Sequence, residues 1–162
     1  MSTLRAFGII LLAAMVWGQS APNQSAAEEA HYPSLIHAEL PLYPPIARTA
    51  HITGTVEIQA VVEKGAVVDA QVKSVDIQIA DPANRITYDE RAKSKVSPYL
   101  SVPSLANVKT WQFQSEDRTT LLVRYVYRIE GEPTPVPENP TIELDLPLVK
   151  ITARPFKPTS SD

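Results

Sequence analysis

Fifteen prolines divide this chain of 162 residues, and they decide where a sheet can form. They fall at positions 22, 33, 41, 44, 45, 82, 98, 103, 133, 135, 137, 140, 147, 155 and 158. A proline brings no N–H to a β-ladder, and its ring breaks helix interiors. Two windows are free of it, residues 46–81 and 104–132, so the ordered core is expected there. The segment 132–140 (EPTPVPENP) carries a proline at nearly every second position and reads as an extended, stiff connector.

Inside the windows the hydrophobic period is two. Val56, Ile58, Ala60 and Val62 alternate with Thr55, Glu57 and Gln59. Lys64-Gly65 supplies a turn, and Val68, Ala70 and Val72 then alternate with Asp69, Gln71 and Lys73. The two runs predict an antiparallel hairpin with one buried face. Leu121, Val123, Tyr125, Tyr127 and Ile129 form a third stripe, opposite Leu122, Arg124, Val126 and Arg128. Between them residues 102–109 predict a helix, with Ser101 as N-cap and Pro103 in the first turn. Leu105, Val108 and Trp111 share its inner face. A short helical turn is expected at 45–49, since proline suits a helix start. Residues 75–96 form a polar interruption, read as an inserted loop with a helical turn beginning near Asp81-Pro82. In residues 141–152 (TIELDLPLVKIT) Ile142, Leu144, Leu146 and Leu148 alternate, and Pro147 demotes the run to an edge or separate strand. The expected fold class is α+β: a small antiparallel three-stranded sheet with two helices on one face, a Pro-rich connector and a C-terminal tail strand.

The first 20 residues read as an address. Arg5 precedes the uncharged apolar run 6–17 (AFGIILLAAMVW), and Gly18 and Ser20 follow. This order of parts predicts a secretory signal peptide over 1–20. The alternative is an inner-membrane anchor through residues 6–17, although a spanning helix needs about 20 apolar residues. The expected divisions are 1–20 signal peptide, 21–39 flexible leader, 40–131 folded domain with 75–96 inserted, 132–140 connector and 141–162 tail.

Chemistry is sparse. The chain has no cysteine, which removes disulfides, thiolate metal sites and cysteine nucleophiles. Its formal net charge of -3 gives no footprint for nucleic acid. His31, His37 and His51 have no second ligand at a helical spacing, so no metal site is expected. There is no activated serine motif and no Gly-rich phosphate loop. The reading is a binding protein rather than an enzyme, with no cofactor and no small-molecule substrate.

One ordered set of motifs is more specific. It runs from Leu42-Tyr43-Pro44-Pro45-Ile46-Ala47 through Ile52-Thr53-Gly54-Thr55-Val56 and Gly65-Ala66-Val67 to Val108-Lys109-Thr110-Trp111-Gln112-Phe113. The pattern Y-P-x-x-A, I-x-G-x-V, G-x-V, V-K-x-W-x-F resembles the C-terminal domain of the TonB energy-transducer family, over residues 40–129. The resemblance implies helices on a small antiparallel sheet, and structural roles for Tyr43, Pro44, Gly54, Gly65, Trp111 and Phe113. Tyr43-Pro44 would start the first helix and seat a ring, and Gly54 would open a strand where a side chain would crowd the helix. Trp111 and Phe113 would close the core. It also implies a periplasmic module that binds extended segments of outer-membrane transporters, or of other envelope proteins, in energy-coupled transport. The mode is β-augmentation: an incoming segment pairs with the free N–H and C=O groups of an edge strand. The run Thr119–Ile129 is the expected edge, with the backbone of Leu121, Leu122, Val123, Arg124, Tyr125, Val126 and Tyr127 as the peptide site. The alternative is an accessory envelope domain whose own tail, residues 142–148, pairs there.

Overall fold

The computed structural model describes residues 32–79, 89–136 and 138–157. The expected signal peptide, residues 21–31 of the leader, and the helix start at Asp81-Pro82 lie outside the described residues. In chain order the elements are β1 (Ser34–His37), α1 (Pro45–Thr49), β2 (Ile52–Glu63), β3 (Ala66–Ile79), α2 (Glu90–Val96), α3 (Pro98–Val108), β4 (Gln112–Gln114), β5 (Thr119–Ile129), β6 (Thr141–Asp145) and β7 (Leu148–Ala153).

The expected three-stranded antiparallel sheet is corrected. Among the described residues one curled, seven-stranded mixed sheet forms a half-barrel in the order β1-β4-β3-β2-β5-β7-β6. Every pairing is antiparallel except β5 with β7. The helices form two units, α1 alone and α2 continuing into α3 at Ser97. The core lies between α3, α1 and the inner face of β2, β5 and β7.

The period-two stripes fill that core. Val56, Ile58, Ala60 and Val62 of β2 are all buried, as are Leu121, Val123, Tyr125 and Tyr127 of β5. In β3 the expected stripe is broken by register shifts, because one extra residue in a strand reverses which side faces inward. Val62 pairs with Val67 and Val61 with Asp69, so Val68 is the extra residue and is exposed. A second shift between Val72 and Ser74 brings Val75 and Ile77 inward.

That second shift explains why residues 75–79 are not part of an inserted loop. Residues 75–79 continue β3 and pair with Ile52–Val56 of β2. At the far end Asp89 caps α2, its Oδ1 accepting from the Ala92 N–H at 2.7 Å. The second helix also starts earlier than expected. Pro98, not Pro103, takes the first turn of α3, and Ser101 lies inside the helix. Leu100, Ser104 and Val108 are its buried residues. Pro103 lies half-buried inside the helix and brings no N–H to its hydrogen-bond ladder.

Both ends of the expected domain change. The leader is strand at Ser34–His37, paired with β4. The tail is two strands joined at Leu146-Pro147, not one run. Pro147 sits in the turn, so the residues on either side keep their ladder bonds. Val149, Ile151 and Ala153 of β7 are buried in the common core. The connector 132–140 leads from the end of β5 to the start of β6, and β6 runs back antiparallel so that β7 can lie parallel to β5.

The motif residues have structural roles. Tyr43 is buried and donates its hydroxyl to the Ile52 carbonyl at 2.6 Å. Its ring meets Tyr127 edge-on at 5.4 Å, and Pro44 caps α1. Trp111 and Phe113 are buried on either side of Gln112. Gly65 has φ +77°, and its carbonyl accepts from the Phe113 N–H at 2.8 Å. A Cβ there would lie 2.7 Å from the Phe113 carbonyl oxygen. The expected reason for Gly54 is corrected: its φ is +152°, and a Cβ would lie 2.1 Å from the Asp76 carbonyl oxygen. The crowding neighbour is the backbone of β3, not a helix.

Candidate peptide-binding edge

In a strand, the backbone N–H and C=O groups of alternate residues point to opposite neighbours, and this fixes what each strand can offer. The Arg124 N–H donates to the Pro147 carbonyl at 2.8 Å, and the Glu130 N–H to the Ala153 carbonyl at 2.9 Å. Even-numbered residues of β5 therefore face β7. Odd-numbered residues face β2, where Val123 pairs with Ile58 and Tyr125 with Val56. The strand is central, and the expected free edge is corrected. From Arg124 to Ile129 its outer side is occupied by Leu148–Ala153.

The sequence-predicted site thus divides. Arg124, Tyr125, Val126 and Tyr127 lie in the doubly paired part. Leu121, Leu122 and Val123 lie beyond the start of β7, paired with β2 through Ala60, Gln59 and Ile58. The Leu122 carbonyl accepts from the Tyr32 hydroxyl at 3.1 Å, so this short stretch is partly met by the chain itself. The tail covers β5 as the alternative reading required, but residues 148–153 do so, in parallel orientation.

The side chains of β5 are also engaged. Tyr125 donates its hydroxyl to Asn107 Oδ1 at 2.8 Å. Ser104 Oγ donates to the Leu100 carbonyl, which leaves Tyr127 to donate to Ser104 at 2.7 Å. Burial pushes the Tyr43 and Tyr125 hydroxyls well above their ordinary range, and the Tyr127 hydroxyl up to about 12. On the outer face Arg124 reaches Glu57 Oε1 through Nε at 3.0 Å and Nη2 at 2.6 Å. The Ser74 hydroxyl bond, and next the Arg124 guanidinium, hold the Glu57 carboxyl below its usual value.

The same parity rule locates the edge that is available. Odd residues of β7 face β5, so even residues face β6. Leu148, Lys150 and Thr152 pair there with Asp145, Glu143 and Thr141. The N–H and C=O groups of Ile142 and Leu144 then point away from β7. Among the described residues β6 has no strand on that side. The Ile142 side chain is half-buried on the inner face and Leu144 is exposed. The opposite edge, β1, is shorter and its pairing with β4 is irregular between Leu35 and His37.

From sequence, residues 142–148 read as a single edge or separate strand, because Ile142, Leu144, Leu146 and Leu148 looked like one stripe. The readable signal was a change of phase. The even-numbered Ile142 and Leu144 lie opposite the odd-numbered, buried Ile151 and Val149, so the residues on the inner face are even before Pro147 and odd after it. A stripe that changes phase across a proline marks a turn between two strands.

No family model matches the chain, and neither a curated protein nor a solved structure does. Among the described residues no helix is long and apolar enough to cross a membrane.

Proposed function

We propose that this chain is an exported, TonB-like protein-binding module of the periplasm that holds an extended segment of an outer-membrane transporter or other envelope protein. The segment adds as an eighth strand along β6. One observation carries the reading: among the described residues β6 is a regular edge strand, with the outward backbone groups of Ile142 and Leu144 unclaimed by a neighbouring strand. Main-chain pairing of this kind supplies affinity with little demand on side-chain identity. The sparse chemistry of the sequence is in keeping with that. Retention of residues 6–17 as an anchor would tie the same module to the inner membrane.

The test is an amide-shift titration of the isotope-labelled chain with extended peptides from transporter N-termini. The Ile142 and Leu144 amides should move first. Leu144→Pro removes one outward donor and spares the bonds to β7, so it should fold and lose capture. Unchanged capture by a folded Leu144→Pro chain would remove β6 as the site.

A second reading has its own observation. The pairing of β7 with β5 is itself a strand addition, made within the chain. An accessory envelope domain with its central edge permanently covered would look the same. It predicts no peptide binding in the titration above.

A further inference from the structure

Among the described residues the guanidinium of Arg48 is a buried cation without a counter-ion. The residue is 6% exposed. Its Nε donates to the Arg154 carbonyl at 2.7 Å and its Nη1 to the Glu138 carbonyl at 2.8 Å. Its Nη2 is buried and has no hydrogen-bond partner among the described residues. A guanidinium carries five N–H donors, and Nη2 holds two of them. Leaving a charged donor desolvated and unanswered is costly, and such groups ask for an explanation. The nearby acid does not supply one: the Glu138 carboxylate is turned to Arg154 Nη1 at 3.4 Å.

Beside Arg48 is a cavity of about 260 Å³, walled mainly by Leu42, Tyr43, Pro45, Pro140 and Phe156. An apolar cavity of about 150 Å³ admits benzene, so this one takes a branched or aromatic side chain with a carboxylate attached. One buried guanidinium among apolar walls suits a planar, singly charged carboxylate, which it meets through paired N–H bonds. A phosphate dianion would call for more donors than these walls provide. Leu42 on the cavity wall is 70% exposed, so that wall is open to solvent.

We propose that this cavity receives the C-terminal residue of a bound peptide, its carboxylate on Arg48 and its apolar side chain among the walls. The inference rests on the β6 reading and names the partner's chemistry. The wall residues Glu138, Asn139 and Pro140 run directly into β6 at Thr141. A peptide laid antiparallel along β6 therefore ends at the cavity. A free carboxylate with an apolar body offers the same chemistry without the strand.

The probes are acetyl-Thr-Val-Thr-Val-Phe with a free C-terminal carboxylate, the same peptide as its C-terminal amide, and 3-phenylpropionate. Each is titrated into the isotope-labelled full chain, following the amides of Thr49, Asn139 and Phe156 for the cavity and of Ile142 and Leu144 for the edge. The free acid should move both sets, and the amide should bind about tenfold more weakly or worse, as loss of a charge-assisted pair requires. Arg48→Gln should abolish the preference for the acid. Because that change also frees the Arg154 and Glu138 carbonyls, Asn139→Trp serves as a second variant. It fills the cavity from an exposed position and should likewise remove the preference in a folded chain. Acid and amide binding equally at the edge overturn the Arg48 inference and leave β6 standing, as would follow if Nη2 simply holds a water. Cavity shifts with 3-phenylpropionate and none at the edge with either peptide sustain the carboxylate site and overturn the strand reading. Silence with all three overturns both.

Discussion

Asn107 shows how one polar residue can organise an apolar corner. Its Oδ1 accepts from Trp111 Nε1 at 3.2 Å and from the Tyr125 hydroxyl at 2.8 Å, while its Nδ2 donates to the Glu39 carbonyl at 2.8 Å. Asn107→Ala leaves two aromatic donors unanswered and should cost about 2–3 kcal/mol in urea unfolding. Trp111→Ala removes the ring itself, 1% exposed, and should cost about 3–5 kcal/mol. A loss under about 1 kcal/mol for either would show that this corner is not well packed. The three buried tyrosines add a pH dependence whose sign follows from linkage. Their folded pKa values are raised above the ordinary 10, so their contribution is full below pH 10. As pH rises past 10, the unfolded chain loses protons that the folded chain keeps. Stability should therefore fall from there through about 12, where Tyr127 titrates. Thermal melts should drop steeply over that range, with tyrosinate absorbance appearing only as the chain unfolds. Tyrosines titrating near pH 10 in an intact fold would contradict the burial. The sequence announced Trp111, Tyr125 and Tyr127, because alternation and the W-x-F motif are local patterns. Asn107 and Arg48 left no such trace. Their partners Glu39 and Arg154 lie 68 and 106 positions away, and no local pattern records a contact of that range.

At the scale of elements, what local period fixed was the strands, and what it missed was their neighbours. The stripes of β2 and β5 lie in the core as read, whereas β3 outruns its expected end because two register shifts reset its inward side. A pattern that slips by one residue looks like a polar loop in sequence and is a continuing strand in space. Replacing residues 75–96 with a Gly/Ser linker should therefore not be tolerated. It deletes the strand that pairs with Ile52–Val56, the buried Ile77 and all of α2. Far-ultraviolet circular dichroism should show loss of the cooperative melt, and a retained melt would return the segment to the status of an insert. The two faces of β5 make a finer prediction. Val123→Pro removes a donor aimed at β2 in the middle of the β2–β5 ladder and should unfold the chain. Arg124→Pro removes the bond to the Pro147 carbonyl, at the point where β7 begins, and should weaken the tail's attachment while leaving β2, β3 and α3 in place. Proteolysis within 141–153 should then be faster in Arg124→Pro than in the parent. Equal resistance would mean that β7 is not held at that end.

For the whole molecule the question is whether the tail is a cover or a wall. The sequence suggested a separable appendage, since four prolines lie within 132–140 and a fifth interrupts the run that follows. Those prolines instead shape the link into β6 and the turn after it, which lets β7 lie parallel to β5 and places Val149 and Ile151 at 0% exposure in the same core. Local composition can show that a segment is stiff, but not that the chain after it returns to pair with a strand 24 residues back. Burying those two side chains is worth about 3–6 kcal/mol, against a total stability of roughly 5–15 kcal/mol for a domain. Loss of the tail also leaves the outward donors of β5 from Arg124 to Arg128 without partners. A chain ending at residue 140 should therefore lack a cooperative thermal transition, or self-associate through the exposed β5. A synthetic peptide of residues 141–157 added in trans should restore the transition in a saturable way, by the same parallel pairing. If the truncated chain instead melts cooperatively as a monomer and captures transporter peptides on β5, the tail is a displaceable cover. The peptide site would then be the central strand rather than β6.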